Sequence, residues 1–183
     1  MVLDTDGNVG IGTTTPSSKL EVYGSGSTVL DIQGSQGQLF SITDDLTGTL
    51  FAVSDISGVP IFEVEANGEV SIDGDLKIKS ANITYQENVD VDSAATETIA
   101  TVNTGEYTGA FFDYTCVSGS NARVGTVMAI SVDGPIEFTD NSTKDIGDTS
   151  GVTLSVDLSG SSMRLRASTN TNDWIIKTLI RTL

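Results

Sequence analysis

The chain has 183 residues, with 25 acidic side chains against nine basic ones, no histidine and one cysteine, for a net charge of −16. An acidic surface repels nucleic-acid phosphates and anionic lipid, so neither is an expected partner. The missing histidine removes Ser-His-Asp and Cys-His nucleophiles and most catalytic zinc geometries, and the lone Cys116 removes an intrachain disulfide framework.

Helix signals are nearly absent. Gly, Thr, Ser, Asp and β-branched residues are too dense for an apolar run of 3.6-residue period, and short alternating stretches between turn residues predict strands throughout. The fold is predicted to be all-β, with a repetitive β shaft over 1–76, a junction over 77–93 and a C-terminal β-sandwich knob of jelly-roll type over 94–183. No stretch approaches the ~18 apolar residues of a membrane span, so no membrane insertion is expected.

In the first part, Asp6-Gly7-Asn8 signals a turn before the short stretch Val9-Gly10-Ile11. Leu20-Glu21-Val22 and Leu30-Asp31-Ile32 follow, and then a unit that recurs at a spacing of eleven residues. Phe40, Phe51 and Phe62 open the three copies, Ile42, Val53 and Val64 follow two residues on, and Gly48, Gly58 and Gly68 close them. A short apolar-x-apolar strand ending in a glycine turn has too little core of its own and needs stacked copies. Three chains about one axis would bury these six apolar side chains as the core of a homotrimer, which also pairs or covers the strand edges. A single-chain β-solenoid is the alternative, and its flat ends would need polar caps that the sequence does not show. The chain begins directly in repeat-like sequence, which suits the C-terminal part of a longer fibre.

The junction holds the alternating Asp75-Leu76-Lys77-Ile78-Lys79 and the polar, acidic run Gln86 to Ser93. From Ala94 the strands become longer and more apolar: Thr98–Val102, Tyr107–Val117, Arg123–Val132, Ile136–Phe138, Val152–Leu158, Met163–Ala167 and Trp174–Leu183. Seven strands at this spacing, separated by Gly, Ser, Asn and Asp, suit a β-sandwich, with the alternating C-terminal strand in its core. Phe112, Tyr114 and Cys116 share one strand face, so the thiol is expected to be buried and inert.

Gly7-Asn8-Val9-Gly10-Ile11-Gly12-Thr13-Thr14-Thr15-Pro16, continuing through Ser17-Ser18-Lys19-Leu20-Glu21-Val22, resembles an element of bacteriophage tail fibres, tailspikes and related trimeric adhesin stalks. The Phe40–Ile72 units are similar to repeats in marine and cyanobacterial phage structural proteins, and residues 94–183, less specifically, to the knob domains of the same proteins. The resemblance implies a non-enzymatic homotrimeric virion fibre that joins other virion proteins. Its distal domain would attach to a bacterial cell-surface glycan or protein receptor. In one branch of that family the element precedes a largely helical, self-cleaving chaperone. Nothing helical is present here, so self-cleavage is not expected.

Several residues invite a functional reading. Tyr107, Arg123, Arg164, Arg166 and Trp174 are candidate receptor contacts, because Trp, Tyr and Arg dominate binding hot spots; core, interface or ion-pair roles are the alternative. The polar loops Ser118–Asn121, Asp140–Gly151 and Ser168–Asp173 are candidate contact regions. Asp140, Asp145 and Asp148 form either a cation site or a solvated acidic loop. Asp4-Thr5-Asp6-Gly7-Asn8 starts like a calcium loop but lacks the later ligands, so an Asx turn is expected and no metal is assigned. No cofactor is implied. Glu106, Asp113 and Glu137 are the candidate carboxylates for a polysaccharide depolymerase, the least favoured function, behind a purely structural spacer or decoration fibre with the knob as trimerisation domain.

Overall fold

The computed structural model describes all 183 residues. The protein is all-β, with seventeen strands and no helix, divided into a unit over Met1–Gly74 and a unit over Asp75–Leu183.

The first unit holds two sheets. In the smaller, β1 (Val2–Leu3) pairs antiparallel with β2 (Val9–Ile11), which pairs parallel with β3 (Leu20–Val22). A parallel β3 needs a crossover connection from β2, and this one opens, against the Tyr23 backbone, at Gly12. Its φ is +79°, and a Cβ there would run into the Tyr23 carbonyl oxygen. Lys19 Nζ donates to the Asp6 carbonyl at 2.8 Å, and Ser17 donates from both backbone and hydroxyl to Glu21. The Gly7–Val22 element thus folds into one closed loop.

The larger sheet is an antiparallel meander of β4 (Thr28–Gln33), β5 (Gln38–Thr43), β6 (Thr49–Ser54), β7 (Pro60–Glu65) and β8 (Val70–Ile72). Six strand residues plus five loop residues, as in Thr49–Ser54 followed by Asp55–Val59, make the eleven-residue period. The same five-residue hairpin loop occurs at Asp4–Asn8, Asp55–Val59 and Glu65–Glu69. Its first N–H donates to the fifth carbonyl, and the glycine fourth in line, at φ +74° to +89°, donates back to the first. Asp4–Asn8 is an Asx turn, because the Asp4 carboxylate accepts the Asp6 and Asn8 amides and the Asn8 side chain. The solenoid alternative does not form, since successive strands reverse direction instead of coiling.

The second unit starts earlier than the sequence reading placed it. Residues 77–93, expected as a junction, contribute β9 (Leu76–Ile78) and the eleven-residue β10 (Ala81–Val91) to its main sheet. Their polarity reflects the inner side of β10, where Asn82, Thr84 and Gln86 line a polar recess instead of the apolar core. The main sheet runs β14 (Ile136–Ser142), β13 (Asn121–Ser131), β12 (Gly109–Ser118), β17 (Trp174–Thr182), β10, β9. A three-stranded sheet of β11 (Glu97–Asn103), β16 (Ser162–Ser168) and β15 (Thr153–Ser159) packs on its inner side. Phe112, Tyr114, Cys116, Ile176 and Ile180 from the main sheet meet Val102, Leu154, Val156, Met163 and Leu165 from the other. Alternation along β17 is strict, every second residue being buried, as expected for a central strand with one face in a core.

Candidate functional site

Two apolar sheet faces remain uncovered. On the meander, the pairs Leu30↔Ile42, Ile32↔Phe40, Phe40↔Val53, Ile42↔Phe51, Phe51↔Val64, Val53↔Phe62 and Phe62↔Ile72 set one apolar face across all five strands, with no charge on it. Phe40, Phe51 and Phe62 pack edge-to-face at centroid separations of 5.2 and 5.8 Å. Within one chain the six expected core side chains therefore share a face, and that face is only half-buried: Ile42 stays 41% exposed and Ile72 43%.

The outer face of the main sheet is the second. Tyr85, Val124, Met128, Ile130, Ile175 and Leu179 stand exposed on it, and at one end Phe111, Met128, Ile130, Phe138 and Leu183 line a recess of about 510 Å³. Its four long strands carry four charges that neutralise one another. Arg181 reaches Asp113 at 3.0 Å while stacking over Phe111, and Lys177 lies 3.6 Å from Glu87. Burial works against ionisation of Asp113, but the Thr126 hydroxyl at 2.6 Å and the Arg181 guanidinium outweigh it and hold the carboxyl below its usual range. Four strands of nine to eleven residues with two shorter neighbours, about 4.8 Å apart and rising about 3.3 Å per residue, present roughly 700 Å² of face. That is close to one partner's share of a standard protein interface, ~800 Å².

The three candidate contact loops gather at one end of the sandwich. Asn121 Oδ1 accepts the Asp148 amide at 2.9 Å, the Asn170 amide donates to Gly151, and Asn172 Oδ1 accepts from Ser93. Trp174 Nε1 donates to Thr171 Oγ1 at 2.9 Å and pins the last loop. In the acidic loop, Asp140 accepts the Tyr114 hydroxyl, Asp145 accepts the Thr149 amide and Asp148 accepts Ser150. The carboxylates that do converge are Asp90, Asp92 and Asp173, within 4.8 Å of one another. Their separation in sequence hides them from a motif reading.

Most of the candidate receptor residues have structural occupations. Trp174 and Tyr107 are buried in the core. Arg123 lies on the inner face, 5.9 Å over the Tyr114 ring, donating to the Val152 and Thr149 carbonyls. Arg164 makes a two-pronged pair with Asp157 at 2.7 and 2.8 Å, and Arg166 donates to the Thr96 carbonyl. Only these last two lie together, partly exposed on the outer side of the small sheet beside Asp157. The candidate catalytic carboxylates are dispersed: Asp113 on the outer face of the main sheet, Glu137 on its edge strand and Glu106 on the β11–β12 loop.

Asn82 and Thr182 are functional candidates that the sequence reading missed. They are directly opposite in the β10–β17 ladder, buried, and each keeps one polar atom without a hydrogen-bond partner. No composition or spacing signal marks them, because only the register brings them together. Comparison with protein-family models, curated proteins and solved structures finds no match.

Proposed function

We propose that this chain is part of a non-enzymatic homotrimeric virion fibre, in a tail or capsid appendage, whose second unit attaches to a bacterial surface receptor. The observation that carries the reading is the pair of uncovered apolar faces, one uncharged and one with balanced central charges, in a chain of net charge −16. A cationic partner would be drawn to the acidic surfaces elsewhere; the neutral faces suit copies of the chain itself, which repel at every other surface. The likeness of Gly7–Val22 to fibre elements supports three copies. Sedimentation equilibrium is expected to give three times the 19.1 kDa chain mass, and a monomer at micromolar concentration overturns the assembly reading.

Attachment is supported by the convergence of three polar loops at one end of the sandwich, where backbone and amide groups suit glycan hydroxyls. The structural spacer is the second reading, favoured by the burial or pairing of Tyr107, Trp174, Arg123 and Arg164. Adsorption of labelled full-length protein to bacterial cells separates the two: retention on some cells supports attachment, and its absence from every strain tested supports the spacer.

A further inference from the structure

At the end of β17 opposite the three loops, the inner side of β10 and the β11–β12 loop enclose a second recess, of about 250 Å³. Asp75, Lys77, Asn82, Gln86, Glu106 and Thr182 are among its walls, so it is far more polar than the recess beside Phe111. Asn82 is 6% exposed and Thr182 2%, yet Asn82 Oδ1 and Thr182 Oγ1 find no partner. The orientation of the Asn82 amide is fixed, because its nitrogen donates to Asp75 Oδ2 at 2.8 Å; the free atom is therefore an acceptor. Buried polar groups left unpaired cost free energy, and native proteins pair nearly all of them.

We propose that this recess binds one neutral sugar residue through its hydroxyl groups. A hydroxyl donates and accepts at once, which matches an orphan amide acceptor beside an orphan hydroxyl, with further acceptors on Asp75 and Glu106 and a donor on Lys77. Two carboxylates against one ammonium disfavour an anionic sugar or a phosphate. Lys77, 3.8 Å from Glu106, disfavours a metal ion. The wall is rigid, since the Gln86 side chain donates to the Thr101 carbonyl at 3.0 Å and accepts its amide at 2.9 Å. The volume equals about eight waters at ~30 Å³ each, enough for one pyranose ring and too small for a buried oligosaccharide. The inference deepens the attachment reading and rests on it for the source of the sugar, a glycan of the bacterial surface.

The test is amide-resolved NMR of the full chain, titrated separately with the methyl glycosides of glucose, galactose and mannose and with calcium chloride. At least one glycoside is expected to shift the amides of Lys77, Thr84, Thr101 and Asn103 at millimolar concentration. Thr182→Val, which removes an unpartnered hydroxyl at constant shape, is expected to leave the other amides unmoved and weaken that binding about tenfold. Glu106→Gln, on an exposed loop, is expected to weaken it as well. Unchanged recess amides with every glycoside overturn the proposal, as does equal affinity in both variants, or a response to calcium alone. Cell adsorption keeps the two readings apart. Adsorption without glycoside binding removes the sugar site and leaves attachment standing, whereas glycoside binding without adsorption leaves the site and removes attachment.

Discussion

Burial beneath the small sheet raises the Cys116 thiol to about 11, against the partly offsetting charge of Arg123. At pH 8 roughly one molecule in a thousand then carries the thiolate that alkylating reagents need. Iodoacetamide should label the native protein only as fast as it opens, and at least about a hundredfold faster in denaturant; rapid native labelling would contradict the burial. Arg123 contacts the same core wall. Arg123→Met keeps the stem but leaves the Val152 carbonyl without its donor and the Thr149 carbonyl with the Val152 amide alone. It should cost about 2 kcal/mol in chemical denaturation, a loss that a mere receptor contact would not produce. The identity of these residues was legible in the sequence, but their occupation was not. Arg123 reads as one more β-strand cation until the register sets it opposite Cys116, on the inner face.

Among the elements, the eleven-residue units were legible as strands closed by glycine turns, because six strand residues and a five-residue loop leave a regular mark. Their antiparallel return was not, since an apolar-x-apolar strand reads alike in a hairpin and in a solenoid coil. The loops explain why the hairpin forms. Asp55 Oδ1 accepts the Ser57 hydroxyl at 2.7 Å and the Ser57 and Val59 amides at 2.8 and 3.0 Å. The Ser57 hydroxyl first, and then the Val59 amide, hold its pKa below the usual value, against a small effect of burial. A carboxyl depressed in the folded state contributes stability above its unfolded pKa, ~3.9, and loses it as pH falls through the folded value. The protection factor at Val59, its exchange rate relative to an unstructured amide at the same pH, should therefore fall below about pH 4, and Asp55→Ala should show the same loosening already at pH 7. The Phe51↔Val64 ladder should keep its protection in both cases. Protection at Val59 that ignores both changes would leave the Asx cap without a role. Residues 77–93 show the opposite failure of legibility. The alternation is present, Ala81, Ile83 and Tyr85 against Asn82, Thr84 and Gln86, but its apolar side faces outward and its polar side lines the recess, so β10 reads as linker although its neighbour β17 reads as core.

For the whole molecule, charge and apolar surface pull in opposite directions. Copies carrying −16 each repel over ~30 Å at 0.01 M salt and over only ~8 Å at 0.15 M, whereas burial of the uncovered sheet faces is nearly indifferent to such salt. Self-association should therefore strengthen as salt rises through this range, opposite to an assembly held by ion pairs between chains. The face of the main sheet gives a point of attack. Met128 lies in the apolar recess at one end of it, 37% exposed and next to Phe111 in the ladder, with no part in the inner core. Met128→Glu sets a second unpaired carboxylate beside Glu137 in this apolar recess, so sedimentation should move toward the mass of one chain, while Trp174 fluorescence shows the second unit still folded. An unchanged mass would place the contact on the meander face alone. In that case Phe51→Asp, which breaks the edge-to-face row of Phe40, Phe51 and Phe62, should dissociate the assembly instead. A wild-type chain that stays monomeric at every salt concentration would show that neither face meets a copy of itself.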